Sequence, residues 1–409
     1  MRLTDLEVIV VGNPPPGFGG KYFTFVKLIT SCGLVGWGEV YAASVGPKAM
    51  GAVIQDIFKR HIFGEDPVNI EFMYRKVYSS GFSQRPDPTI LGAFSGIEIA
   101  CWDILGKSRN LPIWKMLGGK VRDRVRSYTY LYPDKTEDAD YFYSSPQRAV
   151  EAAKKCVEMG FTAIKFDPAG PYTIYGGHQP SLKNIESSET FCMMIRDAIG
   201  PQADILFGTH GQFTPAGAIR LAKRLEQFDP LWFEEPIPPD NFYDMSKVAE
   251  STSIPIATGE RLTSKSEFTH ILRSNSASIL QPALGRVGGL WEAKKISIIG
   301  ESFSAQIAPH LYAGPIEWAA NIQLAISTPN FLILETIGTG EGFQKELLLG
   351  EICWENGYVI PPHGPGLGVE LNEKLARSHP YKGEKLHLEM QLDQVDDTPG
   401  DNFSGHQNM

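Results

Sequence analysis

Between residues 126 and 365 the sequence repeats one unit, a short apolar run that reads as a strand followed by an amphipathic run that reads as a helix. SYTYLY precedes AVEAAKKCVEMG, TAIKFD precedes TFCMMIRDAIG, DILFGTH precedes AGAIRLAKRLEQF, and the alternation continues to FLILET. Eight strands, each followed by a helix or loop, imply an α/β chain with a parallel sheet. Eight units of this length suit a closed (β/α)8-type barrel. An open doubly wound sheet would want a Gly-rich turn near its first strand. The one candidate, GTGEGF at 338–343, follows the last strand and reads as a connecting loop.

The first 41 residues have a different rhythm. LEVIVV and YFTFVKLIT alternate apolar and polar positions, GLVGWGEV reads as a third strand of a small antiparallel sheet, and NPPPGFGG between the first two is a loop. Residues 47–118 carry helical spacing in AVIQDIF, EFMYRKVY and FSGIEIACWDILGK, which makes a compact α+β unit. The insert PAGPYTIYGGHQPSLKNIE at 168–186 is long for a strand-to-helix loop and is expected to cover the barrel mouth. GLGVELNE at 366–373 returns to an ordered pattern, and the polar, acidic end of the chain is expected to be flexible.

A net charge of −9 over 409 residues argues against a nucleic-acid or anionic-membrane partner, because both need a concentrated basic face. No apolar run approaches the roughly 20 residues that cross a bilayer. The start MRLTDLEVIVV lacks the features of a signal peptide, and five widely spaced cysteines form no CxxC pair. These readings predict a cytoplasmic protein.

In a closed barrel, reactive side chains sit at the carboxyl ends of the strands, where the strand-to-helix loops open. Those ends offer Lys165 and Asp167, His210, Glu234, Glu260, Gln281, His310 and Glu335. Their spacing is regular: 24 residues from His210 to Glu234, 26 to Glu260, 50 to His310 and 25 to Glu335. One unit takes about 25 residues, so the spacing predicts one shared layer. Alternation along a strand sends Glu234 inward and Glu235 outward, and puts Lys165 and Asp167 on one face. Glutamates gathered in a dry barrel mouth repel one another unless a cation lies between them, which points to a hard divalent ion, Mg²⁺ or Mn²⁺. Taken singly, each residue has a structural alternative. A strand-end glutamate caps a helix, a lone histidine is a hydrogen-bonded core group, and Lys165 pairs with Asp167. His178, His270, His363, His379 and His387 fall in loops or helices and receive no role.

With these residues in view, the chain resembles the enolase superfamily and, within it, the mandelate racemase-like group that includes the acid-sugar dehydratases. The resemblance rests on VGWGEV, IEIACWDILGKSRNLPIWKMLGG, AIKFD, FEEPIPPDN, IPIATGERL, QPALGRVGG, IAPH, LET and PGLGVELNE. It implies an α+β capping domain over residues 1–125, a barrel over 126–365, and a segment 366–409 returning to the cap with a flexible tail from about 393. It also implies a homo-oligomer, and a substrate-selecting loop at NPPPGFGG. The implied reaction removes the proton beside a carboxylate, and in a dehydratase expels water to leave a 2-keto-3-deoxy acid. Racemisation and cycloisomerisation share the first step; a non-catalytic binding or regulatory protein is the alternative of another class. Carried over position by position, Glu234 and Glu260 fall on metal ligands, His310 on the general base or acid, Glu335 on a substrate-contacting carboxyl, and Lys165 on a proton-transfer position. Three positions depart from the pattern. Gly208 stands where the first metal ligand is normally Asp, Ala283 where an Asp often orients the histidine, and Asp167 where a second lysine is usual. His210 then has two readings, as the replacement metal ligand, which shifts preference toward Mn²⁺ or another transition metal, or as an acid/base with water filling the gap.

Overall fold

A computed structural model of the chain describes residues 1–42, 44–133, 145–169 and 172–392. The tail expected to be flexible from about residue 393 lies outside the described residues. At the N-terminus β1 (Leu3–Gly12), β2 (Tyr22–Thr30) and β3 (Val35–Val40) form a three-stranded antiparallel sheet in that order. Helix Pro88–Arg109 lies against β2 and β3. The approach is close because Gly38 and Gly96 meet there; a methyl group on Gly38 would strike the Gly96 carbonyl. At 22 residues this helix is long and apolar enough to cross a membrane, contrary to the sequence reading, yet it is largely buried as a core helix of the N-terminal unit.

The barrel strands are β4 (Val125–Tyr130), β5 (Ala163–Phe166), β6 (Asp204–Gly208), β7 (Trp232–Glu234), β8 (Ile256–Thr258), β9 (Ile279–Leu280), β10 (Gln306–Ile307) and β11 (Leu334–Thr336). Parallel pairs run in sequence from β4 to β10, and β11 pairs with β4. Between β10 and β11 the link is a bridge from Ile307 to Phe331, so the eight strands go round as a (β/α)8-type barrel. GTGEGF is a connecting loop after β11.

Inside the barrel the strands, or the residues flanking them, supply one tightly packed layer: Tyr128, Ala163, Leu206, Trp232, Ala257, Ile279, Ala308 and Ile333. Two large aromatic rings are balanced by three alanines in this layer, large side chains set against small ones. Side chains on a strand alternate, so two residues on comes the next inward layer. That step leads to Tyr130, Lys165, Gly208, Glu234, Gly259, Gln281, His310 and Glu335. The polar layer therefore rests on a dry apolar floor.

After the barrel, β12 (Leu348–Leu349) pairs with β15 (Glu370–Leu371), while the hairpin β13 (Cys353–Glu355) and β14 (Tyr358–Ile360) adds to the start of β4. Helix Glu373–Ser378 packs on β1, and residues 386–392 continue between the N-terminal unit and the barrel mouth. Three buried carboxylates from the N-terminal unit reach the rest of the chain. Glu39 accepts from Gly314 N at 2.6 Å and Glu317 N at 2.9 Å, at the start of helix Pro315–Ile326. Glu98 accepts from Leu290 N and Trp291 N at 2.7 and 2.8 Å, at the start of helix Leu290–Ser302. Asp103 accepts from Leu367 N at 2.9 Å. The first turn of a helix has N–H groups without intrahelical partners, and here carboxylates on another part of the chain satisfy them.

Candidate active site

The layer above the barrel floor is ordered by charge. Lys165 Nζ lies 2.8 Å from the Glu234 carboxylate and 3.3 Å from Glu335 Oε1. Its partners are therefore these glutamates and not Asp167, which instead accepts from Ala169 N at 2.7 Å. Glu234 also receives Gln281 Nε2 at 2.8 Å and Trp232 Nε1 at 3.2 Å. Glu335 accepts from Leu311 N at 2.9 Å. Burial pushes the Glu234 carboxyl up to about 7 against the pull of Lys165. Burial works the other way on Lys165, but Glu234 and Glu335 outweigh it and raise the ammonium above its ordinary range.

Glu260 does not belong to the inward alternation. Gly259, at φ +140°, takes the inward position and turns the chain so that Glu260 enters from the strand end. His210 Nε2 is 3.6 Å from Glu260 Oε2, and His310 Nε2 is 3.5 Å from Glu260 Oε1. Tyr41 donates to Glu260 Oε1 at 2.9 Å, and Arg286 holds the Glu260 carbonyl at 3.1 Å. Burial opposes ionisation of Glu260, but the rings of His310 and His210 and the guanidiniums of Arg286 and Arg261 keep it well below the usual carboxylate range. Burial lowers both histidines, His210 to about 3, while the Glu260 carboxylate pulls each the other way. Glu235, at φ +35°, turns away as expected and accepts from Arg261 Nε at 2.6 Å and Thr258 Oγ1 at 3.3 Å.

Ligand atoms of His210, Glu234 and Glu260 all lie within 4.8 Å of one another. Glu260 Oε2 is buried without a hydrogen-bond partner, and the ring nitrogen of His210 that faces it is Nε2, at 3.6 Å. Two carboxylates and an imidazole suit a hard or borderline divalent cation. At Gly208, where a water was one candidate to fill the gap left by the missing Asp, the structure leaves no open room beside the Cα. A Cβ there would collide with the Tyr130 hydroxyl and with Cε of Lys165, and the Gly208 carbonyl accepts from Tyr130 at 2.9 Å and Tyr172 at 2.8 Å. The volume of the missing Asp is filled by a lysine and a tyrosine. His310 Nδ1 has no hydrogen-bond partner, in keeping with Ala283 where an orienting Asp was sought.

A cavity of about 900 Å³ opens above these groups, lined at its base by Lys165, His210, Glu260, His310 and Glu335. Tyr41, Tyr130, Tyr172 and Arg286 also line it and carried no role in the sequence reading. Tyr41 directly follows VGWGEV and Tyr130 lies in SYTYLY, but nothing in either run says that its hydroxyl faces a carboxylate or a carbonyl. The insert at 168–186 does reach the mouth, through Tyr172 and Ile174. None of residues 13–20 is among the cavity-lining residues; the C-terminal segment 386–392 stands there instead. His387, given no role from the sequence, is buried, with Nδ1 2.9 Å from Tyr22 O and Nε2 2.8 Å from Tyr312 O.

Residues 148–375 match the enolase C-terminal domain-like family model, and residues 18–118 match the N-terminal domain of mandelate racemase / muconate lactonizing enzyme. The chain belongs to the mandelate racemase/muconate lactonizing enzyme family of the enolase superfamily. It is 33% identical to a D-xylonate dehydratase of Haloferax volcanii over 94% of this chain and 90% of that one. It is 32% identical to a D-galactonate dehydratase of Cronobacter sakazakii over 87% and 90%. A solved mandelate racemase/muconate lactonizing enzyme from a Sulfitobacter species superposes with TM-score 0.95 at 59% identity, covering 97% of this chain and all of that one, 100%.

Proposed function

We propose that this protein is a metal-dependent hydro-lyase that removes the proton α to a carboxylate and eliminates the β-hydroxyl of an acid with the 2,3-dihydroxycarboxylate head of a sugar acid, leaving a 2-keto-3-deoxy acid. The observation that carries the reading is the convergence of His210, Glu234 and Glu260, two of which, His210 and Glu260, line a cavity together with Lys165, His310 and Glu335. The dehydratase names of relatives that span most of the chain support it. His210, Glu234 and Glu260 hold the divalent ion, Mg²⁺ or, with an imidazole ligand, Mn²⁺. Once bound, the ion supplies positive charge that makes a proton beside a carboxylate acidic enough to leave.

The residues of the chain divide the remaining work. A lysine bonded to two carboxylates is an ammonium, so Lys165 is set to hold the negative charge of the substrate carboxylate. His310 lines the cavity and burial disfavours its charged form, so its imidazole is the group placed to take the α-proton. The electron pair left on the α-carbon forms the new double bond as the β-carbon–oxygen bond breaks. His310 returns its proton to the departing oxygen, which leaves as water, and the enol tautomerises to the keto acid. Glu335, anchored by Leu311 N, accepts a substrate hydroxyl.

The test is incubation of the Mg²⁺-loaded protein in D₂O with acids carrying that head, sugar acids of four to six carbons among them. The expected results are a semicarbazide-reactive keto acid from one of them, and loss of product by about a hundredfold or more in His310→Asn. Deuterium at the α-carbon without keto acid would indicate a racemase. Neither exchange nor product from any acid would leave a binding protein and end the proposal. Retained exchange in His310→Asn, lost in Lys165→Met, would move the base to Lys165.

A further inference from the structure

The upper half of the cavity has a different chemistry from its base. Residues 386–392 cross the mouth, and Leu386, Leu388, Met390 and Leu392 line it together with Ile174 from the insert. This roof is built into the fold. Gln391 N donates to Tyr172 O at 2.9 Å, Ile174 N donates to Gln391 O at 3.0 Å, and the buried His387 ring sits between the Tyr22 and Tyr312 carbonyls. Glu389, the one charged side chain among the roof residues, is already paired with Lys21 at 3.3 Å and with Leu386 N at 3.1 Å. Ile174, Met390 and Leu392 remain 56%, 40% and 73% exposed, an apolar surface facing the opening of a polar site.

A sugar acid of five or six carbons carries a hydroxyl on each carbon beyond the β position. A hydroxyl that leaves water for an apolar wall without a partner costs roughly 1–3 kcal/mol. Of the seven roof residues that line the cavity, five are leucine, isoleucine or methionine; the polar two are Gln391 and Glu389, and the Glu389 carboxylate is already paired. The cavity, at about 900 Å³, also stands near the top of the roughly 300–1,000 Å³ that small-molecule sites occupy.

From this we infer that the substrate has a hydrocarbon end: a 2,3-dihydroxycarboxylate head seated on the polar base and an alkyl or ring-bearing tail lying under Ile174, Leu388 and Met390. The inference rests on the reading of the base as a metal and carboxylate site, and it specifies what lies beyond that head. It makes this chain's specificity differ from that expressed in the names of its D-xylonate and D-galactonate relatives.

Calorimetric titration of the Mg²⁺-loaded protein tests it with two sets of probes. One is the straight-chain series 2-hydroxybutanoate, 2-hydroxyhexanoate and 2-hydroxyoctanoate; the other is a panel of five- and six-carbon aldonates. The expected result is affinity rising up to about fourfold for each methylene buried, with every aldonate weaker than 2-hydroxyoctanoate. In the double variant Leu388→Gln, Met390→Gln the slope should flatten while 2-hydroxybutanoate binds as before. A flat series in the wild type, or an aldonate that binds more tightly than 2-hydroxyoctanoate, overturns the inference while leaving the metal and carboxylate reading intact. A flat series together with a change of molar mass in the double variant would make the roof a contact between copies of the chain, which also overturns it. If no acid of either kind binds in a Mg²⁺-dependent way, the reading of the base fails and this inference falls with it.

Discussion

Gly208 shows how one missing side chain reorganises a site. Its neighbours Tyr130 and Lys165 occupy the volume an aspartate would need, and His210, two residues on, is the side chain that meets Glu234 and Glu260. Two outcomes follow. Gly208→Ala forces Tyr130 and Lys165 aside in a packed barrel and should cost about 1–3 kcal/mol in denaturant unfolding; a neutral result would show that the site has slack. Gly208→Asp should fail to improve divalent-ion affinity, because no space faces the site from that position; a gain measured by ion titration would mean that His210 is not the replacement. His210 itself was legible from the sequence as a candidate, since GTHG ends a strand at the spacing shared with Glu234 and Glu260. The partner of Lys165 was not. Asp167 is closer in sequence and on the same face by alternation, but the barrel brings Glu234 and Glu335 to Lys165 across 69 and 170 residues.

At the level of elements, the molecule is fastened by carboxylates that cap helices outside their own unit. Glu98 and Glu39 sit on helix Pro88–Arg109 and strand β3, and each accepts N–H groups at a barrel helix start. Replacing Glu98 by Gln removes one acceptor of the pair and should lower stability by about 1–3 kcal/mol, read as an earlier denaturant midpoint at unchanged slope; an unchanged midpoint would deny the contact any fastening role. Glu39 adds a pH dependence. Burial, with Glu317 nearby, pushes it up to about 8, whereas an unfolded glutamate titrates near about 4.3. Between those values the folded state holds a proton that the unfolded state has released, so stability falls as pH rises through the window, by at most about 1.4 kcal/mol per pH unit for one group. Glu39→Gln should flatten that slope, and an unaltered pH profile would contradict the assignment. The strands and helices of the barrel were readable because eight apolar runs recur at a steady interval. The capping contacts were not, because VGWGEV and IEIACWDILGK read simply as a strand and a core helix until tertiary packing brings Glu39 and Glu98 to helix starts more than 190 residues away.

For the whole molecule, the N-terminal unit, the barrel and the C-terminal segment each contribute one part of a single cavity: Tyr41 from the first, the charged base from the second, the roof from the third. The C-terminal contribution escaped the sequence reading because residues 386–392 form no regular element of their own; a bridge to Thr173 and a buried histidine hold them. The claim on which everything else stands is that one divalent ion binds among His210, Glu234 and Glu260. Anomalous diffraction from crystals equilibrated with Mn²⁺ tests it most directly. The expected result is one strong peak within bonding distance of all three side chains, absent in Glu260→Gln. A map with no peak there, or with Lys165 still bridging Glu234 and Glu335 while Mn²⁺ sits elsewhere, would contradict it.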